Sequence, residues 1–372
     1  MNINRLNWAV VFLLLFLVGG LTEEKIISHQ QVNLHFVTNL DAGKILSSVD
    51  EILLEQQSTA YNILWFGSDN PAVPEYLKSL TSRDSDLVPL WHSTAMVFGA
   101  AANGVGVGTT FAIKKAADGQ MIFMTNFHVV EQFCRVPQDV FSDRVAAGSS
   151  TYSCQALYVL HDVAINTQTN SAVVDGSSPW KSEILSLEYF DKKLDLAAFR
   201  IKLPEQNDLV PVTMELNYDL KRQLPSVQAK KAEKIFSNTD DTSIDAILDR
   251  LLITEATLFE VAYTMPSKDS QESVFIKKQW FKGAAQELTA YENEKKLGFV
   301  RAWKNSIEVL PGASGGPVAL SDGRVIGIST GVELKQYYAR PWWFFGKKRL
   351  KTSKSYFAMP APYLKDLIST VN

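Results

Sequence analysis

Ser314 stands in Leu310-Pro311-Gly312-Ala313-Ser314-Gly315-Gly316-Pro317, a serine held between glycines on a tight turn. Glycines let the backbone bend sharply and leave the surrounding N–H groups open to a developing oxyanion, which is what nucleophilic acyl transfer requires. A serine hydroxyl is a weak nucleophile until a base takes its proton, so the remaining chain has to supply one. His128 follows the apolar run Met121-Ile122-Phe123-Met124-Thr125-Asn126-Phe127, and Asp195 lies in Lys193-Leu194-Asp195-Leu196-Ala197-Ala198-Phe199. An acidic residue inside so apolar a run is costly to bury unless something pairs with it. Singly, each has an ordinary structural explanation: a Gly-rich surface turn, a histidine after a strand, an aspartate capping a loop. Together, in the order His, Asp, Ser, they form the set in which histidine moves the serine proton and aspartate orients the imidazole.

Gly312, Ser314 and Gly316 also fit the G-x-S-x-G elbow of α/β-hydrolases, whose histidine follows the serine in the chain. Here His29, His35, His92, His128 and His161 all precede Ser314, which argues against that esterase arrangement. His161, next to Asp162, is the rival base.

The elements that must position these residues read as short strands with glycine punctuation. Residues 94–100 and 104–113 lead, through a turn at Ala117-Asp118-Gly119-Gln120, into the strand before His128. Further strands read at 156–160, 182–187 and 194–201, the last containing Asp195, and then at 258–263, 273–276, 298–303, 324–332 and 355–359. Pro362 to Val371 closes the chain as an amphipathic helix. This pattern is an all-β fold with helical additions, a double barrel carrying insertions. The expected division is 1–21 a signal peptide, 22–92 an N-terminal helical segment, and 93–372 the main domain. Within the last, 93–215 form a first barrel, 216–257 an insertion with a helical run from Ser243, and 258–372 a second barrel with the closing helix. In the N-terminal segment, Ile45, Leu46, Val49, Ile52 and Leu53 have helical spacing, and a second helix is expected from Pro74.

The 372 residues are 46% hydrophobic and 21% charged, an ordinary globular balance, with no fixed-period repeat. A formal net charge of −3 gives no basic field for nucleic acid. Arg5 precedes an apolar run from Trp8 to Leu21, shorter than a membrane span of about 20 residues and matched to a secretory leader, with Gly19 and Gly20 near its end. An uncleaved anchor is the alternative. Export, to a periplasm or outside the cell, makes Cys134 and Cys154 candidates for one disulfide, two buried thiols being the alternative. There is no C-x-x-C and no histidine at ligand spacing, so no metal site is expected. From Lys335 to Lys354 seven cations surround Trp342, Trp343, Phe344 and Phe345 with no acidic residue. Within it, 340–351 suits a lipid surface or a polypeptide-binding edge, the alternative being aromatics packed into the second barrel.

Thr125-Asn126-Phe127-His128-Val129-Val130, Asp195-Leu196-Ala197 and Gly312-Ala313-Ser314-Gly315-Gly316-Pro317 together resemble the motifs of trypsin-like serine peptidases, above all the exported bacterial high-temperature-requirement type. Gly106-Val107-Gly108-Thr109 resembles the family's Gly-rich strand and Tyr356-Phe357-Ala358-Met359-Pro360 its final strand, so the resemblance covers about 93–372. It implies two six-stranded barrels, His128 as general base, Asp195 as orienter, Ser314 as nucleophile and the N–H groups of Gly312 and Ser314 as oxyanion hole. It implies a protein or peptide substrate, no cofactor, and a substrate pocket at Glu308, Ser329 and Gly331, where an acidic floor at Glu308 would favour Lys or Arg, a solvated carboxylate being the alternative. Ala313 stands where trypsin has an aspartate, so activation by a newly cut, buried α-amino group is not expected. No PDZ domain is recognisable after the second barrel. The expected activity is an exported serine endopeptidase, with a catalytically silent binding module of the same fold as the alternative. Oligomeric state is not legible.

Overall fold

The computed structural model describes residues 29–31, 36–37, 39–56, 86–216 except 103, 147, 177, 205, 206 and 208, and 257–365 with 368, except 267–273, 293, 294, 299 and 340–348. The expected signal peptide, the helix from Pro74, nearly all of the insertion and most of the basic aromatic stretch lie outside these residues. The elements are β1 (His29–Gln31), β2 (Phe36–Val37), helix α1 (Ala42–Gln56), helix α2 (Val88–Ser93), β3 (Thr94–Ala101), β4 (Gly104–Lys115), β5 (Met121–Thr125) and a single helical turn α3 (Phe127–Val130). There follow β6 (Ser142–Arg144), β7 (Leu157–His161), β8 (Val163–Asn166), β9 (Ser171–Val174), β10 (Trp180–Glu183), β11 (Leu187–Asp191) and β12 (Leu196–Ile201). The second half supplies β13 (Thr257–Thr264), β14 (Phe275–Tyr291), β15 (Val300–Asn305), β16 (Pro317–Ala319), β17 (Val325–Ala339), β18 (Arg349–Pro360) and a closing 3-10 turn, Ala361–Leu364.

The second half closes into a barrel: β13-β16-β17-β18-β15-β14 run in that order, and β14 pairs back to β13. The first half is a sheet ordered β10-β7-β3-β4-β5-β12-β11-β6. The all-β fold with helical additions therefore holds. Its centre is β4, whose first ten residues are all buried. A Cβ on Gly108 would lie 2.5 Å from Val129 Cγ1, so only glycine lets α3, with His128, sit this close to β4. One edge of β4 pairs with β3 along residues 104–111. The other edge carries β2 at Val105–Gly106 and β5 from Phe111 onward, with Thr109 N–H donating to Ser314 O (2.8 Å) in between.

In α1 the helical period places Ile45 and Val49 inward, fully buried with Leu40 in a cluster containing Phe98, Val105 and Ile165. The chain separates into two compact units, and β1 belongs to the smaller, pairing with β17 so that His29 faces Lys335. Cys134 and Cys154 form a disulfide across an isolated antiparallel bridge. At the C-terminus, the expected helix begins as the 3-10 turn and its later residues are largely outside those described.

Candidate active site

The strand before His128 stops at Thr125, and His128 sits in α3 rather than at a strand end. Asp195 likewise is not inside its strand. It occupies the turn before β12 at φ 55°, a left-handed conformation that aspartate tolerates better than most residues. This position turns both carboxylate oxygens towards donors. Oδ1 accepts from His128 N–H (2.9 Å), and Oδ2 lies 2.6 Å from His128 Nδ1 and accepts from Thr330 Oγ1 (3.0 Å). Asn126 Nδ2 donates to Asp195 O (2.9 Å), and Phe127 N–H to the same carbonyl (3.1 Å). Asp195 is buried, whereas the His128 side chain keeps 20% of its surface exposed. The pair is thus fixed from within and open to one side.

Ser314 lies on a turn whose ends are tied to the first half. Thr109 Oγ1 donates to Gly312 O (2.9 Å) and accepts from Tyr263 N–H (2.9 Å). Gly312 and Gly315 have φ of 95° and 89°. A Cβ on Gly315 would meet Thr125 Oγ1 at 2.4 Å and Asn126 N at 3.2 Å, which brings the serine turn against the residues leading into His128. Among the described residues, neither the Gly312 nor the Ser314 N–H donates a hydrogen bond. A tetrahedral oxyanion could take both.

Of the expected pocket residues, Ser329 is buried and its backbone flanks the turn: Gly315 N–H donates to Ser329 O, and Ser329 N–H to Gly316 O, both at 2.8 Å. Gly331 faces Tyr291, whose Oη would lie 2.7 Å from a Cβ there. Glu308 is exposed, and the Tyr356 hydroxyl is raised above the usual tyrosine range by burial and then by the Glu308 charge. The rival His161 belongs elsewhere. It is fully buried, stacks on Trp180 at 5.1 Å, and its ring nitrogens face the carbonyls of Ser178 and His92.

Two features escaped the sequence reading. Thr330, which clamps Asp195, sits inside an unbroken strand and looks like any alternating threonine. Glu260, in β13, is 1% exposed. Burial pushes its carboxyl group well above the ordinary range, with only the Ser329 hydroxyl acting the other way.

A closed barrel and a neighbouring sheet, meeting at a His–Asp pair and a Gly-bounded serine, define a trypsin-like architecture. Residues 108–328 match the trypsin-like peptidase domain family, and the chain belongs to that family. Solved structures that the chain matches include that of Deg5, at 16% identity over 77% of this chain and 92% of that one, with a TM-score of 0.40. They also include the active form of the Rv3671c protease from M. tuberculosis (13% identity, 77% and 84% covered, TM-score 0.39). A third is the HtrA-type protease AlgW with a tripeptide (12% identity, 77% and 62% covered, TM-score 0.38). No curated protein matches the chain.

Proposed function

We propose that the protein is an exported serine endopeptidase that hydrolyses peptide bonds through a covalent acyl-enzyme. The observation that carries this reading is the His128–Asp195 pair, held at 2.6 Å beside a Ser314 turn that is bonded to the strand packed under His128. In the reaction His128 Nε2 takes the Ser314 proton as Oγ attacks the scissile carbonyl. His128 Nδ1–H donates to Asp195 Oδ2, which fixes the tautomer and stabilises the imidazolium. The Gly312 and Ser314 N–H groups receive the oxyanion, and His128 returns the proton to the leaving amine. Water then repeats the sequence on the ester. Glu308, Ser329 and Gly331 are assigned to the substrate pocket, and the apolar run from Trp8 to Leu21 to export.

The test is labelling with a fluorophosphonate probe, together with casein cleavage. The protein should label at Ser314, while Ser314→Ala abolishes labelling and both Ser314→Ala and His128→Ala lower turnover by about three or more powers of ten. A protein that binds casein and never labels would instead be a silent binding module. Products from a peptide library, read by mass spectrometry, test the pocket: cleavage after Lys or Arg is expected, and Glu308→Gln should weaken that preference.

A further inference from the structure

Glu260 is an acid where nothing in the triad chemistry asks for one. In β13 it pairs with Phe281 of β14 on one side and Val318 of β16 on the other. Val318 belongs, with Leu258, Trp303, Ile307 and Ile326, to the apolar cluster of the second barrel, and Phe281 packs against it. Glu260 Oε1 is buried and, among the described residues, has no hydrogen-bond partner. It points under the serine turn. The position that a Cβ on Gly316 would take lies 2.9 Å from Oε1, 3.0 Å from Ala313 O and 3.1 Å from Val261 O, so three oxygens crowd one small space.

We propose that Glu260 is a positioning residue of the serine turn: its carboxyl group, packed in the barrel interior directly beneath Gly316, fixes residues 315–317 while it is neutral, and a negative charge there releases them. The link is short. Ser329 grips the turn with its own N–H and C=O, bonded to Gly316 and Gly315, and its hydroxyl is the one group that favours the ionised form of the Glu260 carboxyl. A neutral acid leaves that clamp undisturbed and has a proton to share with the oxygens around it. A carboxylate in the same place would face the Ala313 and Val261 carbonyl oxygens with a full negative charge and one hydroxyl donor, an arrangement relieved by moving the turn.

No cation offsets that charge among the described residues. On β14, Lys278 pairs with Asp162 and Lys282 lies over the Phe259 ring. Just before β17, Arg324 pairs with Asp322 and Glu215. On β18, Tyr356 is coupled to Glu308, and β16 carries no ionisable side chain. Burial and the Ser329 hydroxyl are what act on Glu260. Ala313, the residue before the nucleophile, offers no charge for an ion pair, so the turn is ordered from below by an acid.

This inference rests on the peptidase reading and is tested apart from it by the rate of fluorophosphonate labelling as a function of pH, with circular dichroism reporting the fold across the range. Wild-type labelling should fall at least about tenfold at the alkaline end relative to neutral pH, as one group ionises. In Glu260→Gln, which cannot ionise, the alkaline-to-neutral ratio should return to near one. Ser329→Ala provides an independent arm that leaves the acid in place: losing a donor to the carboxylate should move the alkaline limb to higher pH. An alkaline fall of the same size and midpoint in Glu260→Gln, an unmoved limb in Ser329→Ala, or no alkaline fall in the wild type would overturn the role of Glu260. Absence of labelling at every pH would overturn the peptidase reading instead.

Discussion

At the scale of single residues the site depends on Asp195 accepting on both oxygens at once. His128 N–H, His128 Nδ1–H and Thr330 Oγ1 all approach as donors. Asp195→Asn would place an NH2 group against one of these donors, so the amide must rotate, break the network, or force His128 into the other tautomer. Turnover of an ester or peptide substrate should then fall by about ten-thousandfold while the fold survives, checked by kinetics beside a thermal melt. Thr330→Val keeps the volume but removes one donor, and a smaller loss of about tenfold is expected. What was legible at this scale follows from the same chemistry. Ser314 and His128 stand out in the sequence because glycines and an apolar run bracket them. Asp195 could be named but not placed, since its left-handed backbone ends a turn and a linear reading puts it in the strand. Glu260 was not legible at all: Phe259-Glu260-Val261 reads as a strand with its polar residue outward, and only barrel closure turns that residue inside.

At the scale of elements, α3 is followed by a segment stapled by the Cys134–Cys154 disulfide, whose two cysteines stand 20 positions apart in the sequence. In the chain-entropy account, closing such a loop is worth about 3 kcal/mol. Cys134→Ala with Cys154→Ala should lower the urea-unfolding free energy by about that amount, and the unfolded, unreduced wild type should titrate no free thiol. The N-terminal helix makes a different prediction. Ile45 and Val49 of α1 are fully buried against strands β3, β4 and β8. Ile45→Ala should therefore cost about 2–5 kcal/mol in the unfolding transition of the peptidase fold itself, because the cavity it leaves lies in a shared core. The α1 period was readable because Ile45, Val49 and Ile52 repeat at helical spacing. The length of β14 was not. Its 17 residues include a fully buried Lys278 and a Gly283 pressed against Ile307, and both interrupt the alternation by which a strand is recognised.

For the molecule as a whole the decisive feature is a buried ionic cluster that ties β8, β9, β14 and α2 together. Lys278 Nζ donates to Asp162 Oδ1 (2.9 Å) and to Trp91 O (3.1 Å), and Lys278 N–H donates to Asp175 Oδ2 (3.1 Å). Only one of the two aspartates has the ammonium group as a direct partner. Asp162, despite burial, is held well below the usual carboxylate range by Lys278 and then His161. Asp175 is pushed up to about 6, chiefly by burial. The consequences for stability have opposite signs. Asp162 contributes stability above the ordinary aspartate range, lost as pH falls below it. Asp175 binds its proton more tightly when folded than when unfolded, so between its ordinary value of 3.8 and about 6 the unfolded state releases a proton that the native state keeps. Stability from this group therefore falls as pH rises through that window. His161, lowered chiefly by burial, works against it, since the unfolded imidazole is the form that protonates below about 6.5. The wild-type profile mixes all three, and Asp175→Asn separates one: the amide oxygen can still accept from Lys278 N–H but has no proton to lose. The difference in unfolding free energy, mutant minus wild type, should rise by about 2 kcal/mol between about pH 4 and pH 7. Urea denaturation of both proteins at each pH measures it. A difference that stays flat would mean Asp175 is ionised throughout, with the Lys278 ammonium neutralising both aspartates together.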